Sequence, residues 1–326
     1  MTRIALDVHA HLLPVLPERL AGFAEVSWDA AAKTLSIDGH AVGIARLFQP
    51  AALARWMADQ DVAHAWISAP PPAYRMHLRG VGALEWSRYL NEGLDRAAAD
   101  HEGAMTPLYH LPTQDPESAC RIVDERGGKG HRLFAMPSGT GDARTLADAE
   151  FDGLWSRLDA LGALVFVHPG ECADGRLSAH YLTNLLGNPH ETSVAISHLV
   201  LGGVLERHPQ LELCFAHGGG TYPMIAARIQ RGYDTARPGV DTAAARPSDL
   251  VRRLHVDCIC HSQEALCLSE AVFGEDRLVF GSDWPFPMGL VEPDEQLAKL
   301  NPDRRERITQ INPTRLLASR QKGSAS

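Results

Sequence analysis

Short, nearly continuous apolar runs recur along the chain and alternate with longer segments that carry apolar residues at helical spacing. We predict eight strands from these runs, at residues 4–8, 64–68, 105–110, 132–135, 164–167, 211–215, 254–258 and 278–280. Between most of them lie segments of helical periodicity, such as residues 150–161 and 264–272. Strands that are apolar throughout are typical of a parallel sheet covered by helices. Eight strand–helix units in succession therefore predict an α/β fold, a closed (β/α)8 barrel of the TIM type.

One long interruption of this rhythm separates the first and second strands. Residues 15–55 contain apolar–polar alternation on both sides of a turn, around Trp28 and Ile37, which predicts a small β-hairpin. Because this insertion follows the carboxyl end of a strand, we expect it to lie over the mouth of the barrel. No internal repeat or linker divides the rest. Residues 1–326 are therefore predicted to form a single domain, with a frayed tail at residues 323–326.

Composition and charge narrow the range of partners. The 326 residues are 45% hydrophobic and 22% charged, as in soluble globular proteins, and the formal net charge is −9. No run of Lys or Arg forms a basic stripe, so nucleic acid is not an expected partner. No segment has the roughly 20 apolar residues of a transmembrane helix, and the N-terminus lacks the pattern of a signal peptide. The six cysteines form no disulfide framework, which favours a cytoplasmic protein with reduced thiols.

The polar residues that end several apolar runs are the main indication of chemistry. His9 and His11 close the first strand, and the fifth, sixth and eighth strands end in His168, His217 and Asp283. Residues two apart in a strand point to the same side, so the first two imidazoles can bind one ion together. Each residue taken alone is more often a helix cap or a packing residue. Their shared position at strand ends, where barrel enzymes build their active sites, predicts a metal centre.

Four sequence motifs carry a resemblance to a known family. They are DVHAH at the first strand, FVHP at the fifth, CFAHGGGTY at the sixth and FGSDWPFPMG at the eighth. This set resembles the amidohydrolase superfamily, in the amidohydrolase-2 branch that includes aminocarboxymuconate-semialdehyde decarboxylase and the non-oxidative decarboxylases of hydroxyaryl acids. The resemblance spans roughly the C-terminal half of the chain and the first strand.

The resemblance implies a specific set of metal ligands. One divalent ion, zinc with manganese as the alternative, would be bound by four side chains: His9, His11, His168 and Asp283. The resemblance puts His217 next to the ion as an acid/base, a role that suits imidazole because its pKa lies near neutral pH. Two-metal members of the superfamily carry a carbamylated lysine at the fourth strand. Residues 133–137 contain no lysine, which favours a single ion.

Three further residues are predicted from the resemblance to contact the substrate. Arg46 lies in the insertion, where the semialdehyde decarboxylase has a carboxylate-binding arginine, although the aligned position itself holds Ala41. Arg228, eleven residues after His217, corresponds to an arginine offered to a neighbouring subunit, which predicts a homodimer. Phe286 corresponds to a ring that lies against a flat substrate. An ordinary exposed position for Arg228 and a core position for Phe286 are the alternatives.

These observations lead to a functional prediction. We expect a metal-dependent, non-oxidative decarboxylase of a small unsaturated, aromatic or heteroaromatic carboxylic acid, acting in a catabolic pathway. Loss of carbon dioxide leaves a carbanion-like centre, which needs charge stabilisation and a proton. Whether bound water, His217 or Asp283 delivers that proton stays open. The alternatives are a mononuclear hydrolase or hydratase that acts on a lactone, an amide or an unsaturated acid, and a non-catalytic barrel without metal.

Overall fold

The computed structural model describes residues 3–101, 103–170 and 172–321, so the predicted tail at residues 323–326 lies outside the described residues. The strands in these ranges are β1 (Asp7–His11), β2 (Val26–Asp29), β3 (Thr34–Ile37), β4 (His40–Ala41), β5 (Ala65–Ser68), β6 (Met105–Pro107), β7 (Tyr109–His110), β8 (Leu133–Pro137), β9 (Leu164–His168), β10 (Glu212–Phe215), β11 (His255–Asp257) and β12 (Leu278–Val279). The α-helices are α1 (Pro17–Leu20), α2 (Pro50–Asp59), α3 (Gly80–Ala99), α4 (Pro116–Gly127), α5 (Asp152–Ala160), α6 (Asn188–Leu201), α7 (Val204–Arg207), α8 (Tyr222–Asp234), α9 (Pro247–Leu250), α10 (Gln263–Phe273), α11 (Pro293–Leu297), α12 (Pro302–Glu306) and α13 (Asn312–Gln321).

The strands β1 and β5 to β12 are parallel and form two sheets. One sheet has the order β1-β5-β6, and in the other each strand from β7 to β12 pairs with the next along the chain. The longest pairing joins β8 to β9, where Leu133 is opposite Leu164 and Pro137 is opposite His168. The predicted α/β fold with parallel strands is therefore confirmed.

Backbone hydrogen bonds connect the two sheets at both of their edges. The amide of Leu108, between β6 and β7, donates to Ile67 O at 2.8 Å. At the other edge, Val8 N donates to Phe280 O at 3.0 Å. His11 N also donates to a carbonyl oxygen in the segment after β12, at 2.8 Å. The carboxyl end of β1 therefore lies directly beside the chain that leaves β12.

Two strands differ most from those predicted from the sequence. The third predicted strand, residues 105–110, is divided, because β6 pairs with β5 as far as Pro107 whereas β7 pairs with β8 from Tyr109 onwards. The first strand begins later than predicted, at Asp7, and runs on through His11. Ile4 makes only an isolated bridge to Val62.

Among the described α-helices, α4 and α10 begin at caps that are visible in the sequence. Asp115 accepts a hydrogen bond from Ser118 N at 3.0 Å, and Pro116 occupies the first turn of α4. Ser262 likewise accepts from Ala265 N at 3.1 Å at the start of α10. Because these caps satisfy amides that have no partner inside the helix, α4 and α10 can each begin soon after the preceding strand ends.

The range of the predicted insertion contains a separate antiparallel sheet. β2 and β4 both pair with β3, which is the central strand. Leu35 and Ile37 of β3 are buried and belong to an apolar cluster with Leu47 and Trp86. Phe286, which follows β12, is partly buried and packs against the same cluster. This sheet therefore adjoins the carboxyl ends of the parallel strands.

The parallel strands form the centre of the core. Every residue of β1, β5 and β9 is buried, including the polar Asp7, His9 and His11. Helices pack outside them through large side chains, such as Trp155 of α5 and Phe273 of α10, which are fully buried. None of the helices in the described ranges is long and apolar enough to cross a membrane.

Candidate metal centre and active site

Four polar side chains converge at the carboxyl ends of the parallel strands. One nitrogen or oxygen atom from each lies within 4.8 Å of those from the other three: His9, His11, His168 and Asp283. The Nε2 atoms of His9 and His11 are 3.0 Å apart. Asp283 Oδ1 lies 3.2 Å from the first of these atoms and 3.3 Å from the second. The fold thus brings together the four residues that the sequence singled out as metal ligands.

Strand geometry accounts for this convergence. His9 and His11 alternate with Val8 and Ala10 in β1, so both imidazoles leave the strand on one side. Asp283 follows β12 in a left-handed backbone conformation, with φ of 55°, and its amide donates to His9 O at 2.7 Å. Pairing between strand ends that are distant in sequence therefore brings the carboxylate to the imidazoles.

Each of the three histidines is held through its Nδ1 atom. His9 Nδ1 lies 2.7 Å from Asp257 Oδ2, and His11 Nδ1 lies 3.1 Å from Ser68 Oγ. His168 Nδ1 lies 2.7 Å from a backbone carbonyl oxygen. Such contacts fix the orientation and the tautomer of an imidazole, and they leave Nε2 available for a metal.

The Nε2 atom of His168 tests whether these groups suit a metal. It is buried and has no hydrogen-bond partner among the described residues. A buried polar atom without a partner is unfavourable by about 1–3 kcal/mol, a cost that a divalent cation would remove. Three imidazole nitrogens and one carboxylate oxygen are donors that zinc and other divalent first-row metals accept. The residues present therefore fit a divalent metal ion.

Burial and charge set the protonation of these groups. Burial holds the pKa of His168 well below its usual value, and burial also lowers the pKa of His11. Burial alone would raise the pKa of Asp283, but His9 and His11 hold it well below its usual value. For His9, burial lowers the pKa, but Asp283 and Asp257 together raise it to about 10. The directions of the pKa shifts of His11, His168 and Asp283 favour neutral imidazoles and an ionised carboxylate, which are the forms that bind a cation.

His217 lies beside these groups on a tightly packed turn. It has a φ of 56°, and the three glycines that follow it also have positive φ. A Cβ atom on Gly218 would collide with Cys260 Sγ, and one on Gly220 would collide with a backbone carbonyl oxygen. Glycine is required at both positions, by packing as well as by conformation. The turn holds His217 Nε2 3.9 Å from Asp283 Oδ2.

A cavity of about 330 Å³ opens onto this centre. His168, His217 and Asp283 line it, and Phe286 and Met288 are among its apolar wall residues. None of the described residues that line it is Lys or Arg. Its volume suits a small molecule, and its largely apolar wall suits a flat ring.

Comparison with known proteins identifies the family. A sequence profile described as amidohydrolase matches residues 6–318, which is nearly the whole chain. The chain belongs to the amidohydrolase family. The resemblance that its four motifs indicated is therefore confirmed.

Relatives of this amidohydrolase resemble it along much of their length. The 2-amino-3-carboxymuconate-6-semialdehyde decarboxylase of Dictyostelium discoideum is 28% identical, over 91% of this chain and 86% of the relative. The gamma-resorcylate decarboxylase of a Rhizobium species is 26% identical, over 63% of this chain and 67% of the relative. A crystal structure of a dihydroxybenzoic acid decarboxylase from a Polaromonas species contains manganese and the inhibitor 2-nitroresorcinol. Its alignment with this chain covers 97% of each chain, with 19% identity and a TM-score of 0.78, so the two proteins share a fold.

The three predicted substrate contacts of this amidohydrolase lie in different places. Phe286 lines the cavity, and its ring centre is 5.5 Å from that of His11. Arg228 is exposed on α8 and does not line the cavity. Arg46 is exposed in the 3-10 turn Ala45–Phe48, and it lines neither this cavity nor an adjoining one of about 500 Å³. Of these three residues, only Phe286 therefore lies at the site formed by its own chain.

The adjoining cavity contains a different arginine. Phe286 and Pro71 line both cavities, and the buried Arg75 lines the second. The Arg75 guanidinium donates to Asp38 Oδ1 at 2.9 Å and to Ala24 O at 3.0 Å. The charge of Arg75 is therefore already paired with the carboxylate of Asp38 in the insertion. A substrate acid requires a cation that is not already paired in this way.

Two residues at the centre had no role assigned from the sequence. Asp257 and Ser68 contact the Nδ1 atoms of the histidines, and both are the last residues of buried strands. In β5, Ser68 pairs directly with His11 across the parallel ladder. A search of the sequence for every polar residue at a strand end, rather than for His and Asp in known motifs alone, would have found both.

Proposed function

We propose that this protein is a metal-dependent, non-oxidative decarboxylase of a small hydroxyaromatic carboxylic acid. The observation that carries the proposal is the convergence of four metal-binding side chains and His217 at one small, largely apolar cavity. The relatives support it, since two are named decarboxylases and the solved structure is of a dihydroxybenzoic acid decarboxylase. The proposed ion is bound by His9, His11, His168 and Asp283.

The proposed architecture is one (β/α)8-barrel domain over residues 1–326, with residues 15–55 inserted over its mouth. Backbone hydrogen bonds at both edges of the two parallel sheets support closure of the barrel. The family match over residues 6–318 supports a single domain. In such a barrel all parallel strands end at one mouth, where the metal centre would lie. A cytoplasmic location stays a prediction.

Zinc is the proposed ion, with manganese as the alternative. Three imidazoles and one carboxylate are acceptable to either metal, and the Polaromonas structure contains manganese. When bound, the ion supplies a Lewis acid that stabilises negative charge on a substrate oxygen. Elemental analysis of the purified protein distinguishes the two metals.

The residues of this chain would carry out the proton transfer. When the bond between the ring and the carboxyl carbon breaks, carbon dioxide leaves and the electron pair remains on the ring carbon. That carbon must then receive a proton. His217 suits this role because its ring borders the cavity and its Nε2 lies 3.9 Å from Asp283 Oδ2, beside the proposed ion. Phe286 offers a ring face against which a flat substrate can stack.

Turnover in D2O tests the proposed reaction. Protein loaded with zinc or manganese is incubated with a panel of hydroxybenzoates, including 2,6-dihydroxybenzoate. We expect carbon dioxide and a phenol that carries one deuterium at the vacated ring carbon, measured by mass spectrometry. Protein stripped by a chelator is the control and should be inactive. Lactones and amides are assayed in parallel. Opening of one of them, with no carbon dioxide released from any acid, would support the hydrolase instead, and an active metal-free protein would contradict both.

The proposed assembly is a homodimer in which Arg228 serves the site of the partner. A substrate carboxylate needs a cation, yet no described residue that lines the cavity is Lys or Arg. Met224 lies at the rim of the cavity with 78% of its surface exposed, and Arg228 is exposed one helical turn further along α8. An arginine beside the rim of its own cavity could reach the cavity of a second copy docked over that rim by two-fold symmetry.

Complementation between two inactive variants tests this sharing. Arg228→Met and His217→Asn chains are co-expressed with different tags, and the mixed dimer is purified through both tags. One site of that dimer then has an intact His217 and an intact Arg228 from the partner. We expect each homodimer to be impaired and the mixed dimer to recover roughly half of the wild-type rate, because one of two symmetric sites is restored.

The matched control is Arg231→Met, which removes a second exposed arginine from the same helix. It should leave the rate near that of the wild type. If the mixed dimer stays as inactive as its parents, or if the wild-type protein is a fully active monomer in analytical ultracentrifugation, Arg228 does not act across an interface.

A further inference from the structure

Asp257 uses its two oxygens on two different parts of the active site. It is the last residue of β11 and is fully buried. Oδ2 lies 2.7 Å from His9 Nδ1. Oδ1 accepts hydrogen bonds from Gly218 N and Ile259 N, each at 3.0 Å. The Asp257 carboxylate therefore contacts both the imidazole of His9, a proposed metal ligand, and the turn that presents His217.

The turn is held from a second side by Ser269. The Ser269 hydroxyl of α10 donates to Gly218 O at 2.6 Å. The amide that Asp257 binds belongs to the peptide group between His217 and Gly218. Because His217 sits in a left-handed conformation with φ of 56°, this peptide group needs external contacts to hold its orientation. Asp257 and Ser269 supply contacts on either side of the Gly218 α-carbon.

We infer that Asp257 is a positioning residue that couples His9 to the His217 turn and so sets the geometry between the metal ligand and the proton donor. This inference rests on the proposed metal centre and on the proposed role of His217. Through Oδ2 the carboxylate fixes the ring and tautomer of His9, which strengthens that imidazole as a ligand. Through Oδ1 it fixes the backbone from which His217 projects. Displacements of about 1 Å at a reacting centre can cost on the order of a hundredfold in rate.

Two variants separate the contact to His9 from the support of the His217 turn. Asp257→Asn keeps an oxygen for the amides of Gly218 and Ile259, but it turns an NH2 group towards the Nδ1–H of His9. We expect the dissociation constant of the metal to rise by about 10–100-fold, as for loss of other outer contacts to a ligand. Ser269→Ala removes only the contact to Gly218 O. It should lower kcat severalfold and alter the pH profile of kcat, with metal affinity and KM unchanged.

Asp7→Asn is the matched control for placing an amide in this core. Asp7 is equally buried and accepts hydrogen bonds from the backbone N–H of His9 and the hydroxyl of Ser282, but none of its hydrogen bonds within the described residues involves an imidazole. Metal affinity is measured by competition with a chromogenic chelator, without substrate. Melting temperatures of the metal-free proteins show whether each variant folds. The control should bind metal more tightly than Asp257→Asn, although both place an amide in the core.

The outcomes distinguish coupling from an ordinary buried turn. Weak metal binding in Asp257→Asn together with slow turnover in Ser269→Ala supports the inference. Unchanged metal affinity in Asp257→Asn, with only a lower melting temperature, overturns it, because Asp257 would then only stabilise the turn after β11. Unchanged kcat in Ser269→Ala overturns the part of the inference in which contacts to the Gly218 turn set the position of His217. If the wild-type protein decarboxylates no acid, the proposed function fails while the metal affinities still report on the contact to His9.

Discussion

Replacing His168 with alanine is expected to abolish metal binding and, with it, decarboxylation. His168 is the last residue of β9. Its buried Nε2 has no hydrogen-bond partner among the described residues, so the proposed ion would be the partner of this atom. Loss of an outer contact alone typically costs about 10–100-fold in metal affinity or activity, so loss of a ligand should lower kcat/KM by more than about 100-fold. Elemental analysis after gel filtration should find well below one ion per chain.

His261→Ala is the control for this variant. His261 also lines the cavity but does not belong to the group of four converging side chains, so the control should keep a full metal load. Circular dichroism of the metal-free proteins checks that the His168→Ala chain is folded. A His168→Ala protein that kept one ion per chain and the wild-type rate would remove the basis of the proposed centre.

Replacing His217 with asparagine is expected to keep the metal but slow turnover by about 10²–10⁴-fold, the usual contribution of a general acid or base. Asparagine is the appropriate substitute because residue 217 has a φ of 56°, which asparagine tolerates better than most side chains. The loss should appear in kcat at saturating substrate. Steady-state kinetics and elemental analysis on the same preparation measure both quantities.

His217→Gln is the second variant, since it differs from the first in length but also lacks an acid/base group. Both should be slow, and both should contain one ion per chain. If turnover stayed near that of the wild type at full metal load, the proton would come from Asp283 or from bound water rather than from His217. A lower metal content in both variants would instead make His217 a ligand.

The sequence was most informative where one strand or one turn decides the geometry. Alternation in β1 is enough to put His9 and His11 on one side of the strand. The glycines after His217 indicate a tight turn. The structure gives the reason at Gly218, where the Cβ atom of any other residue would collide with Cys260 Sγ. Apolar runs between helical segments predicted parallel strands, because only strands covered on both faces are apolar throughout.

The sequence was least informative where a boundary depends on backbone hydrogen bonding. Residues 105–110 were predicted as one strand, yet they divide into β6, which pairs with β5, and β7, which pairs with β8. The insertion arginine illustrates a second limit. Motif position made Arg46 the candidate, whereas the structure buries Arg75 beside the site and pairs it with Asp38. Which of two arginines faces inwards depends on how the insertion packs, and that is a long-range property.

By itself the sequence determined the alternation of strands and helices, the residues at the strand ends and the family motifs, because each depends on local periodicity. Only the tertiary structure decided which strand ends are neighbours and how their polar atoms are satisfied. His9 and Asp257 are 248 positions apart. They meet because the strands that contain them have their carboxyl ends on the same side of the parallel sheets. Contacts of this kind depend on the register and packing of the whole core, which no local pattern of residues encodes.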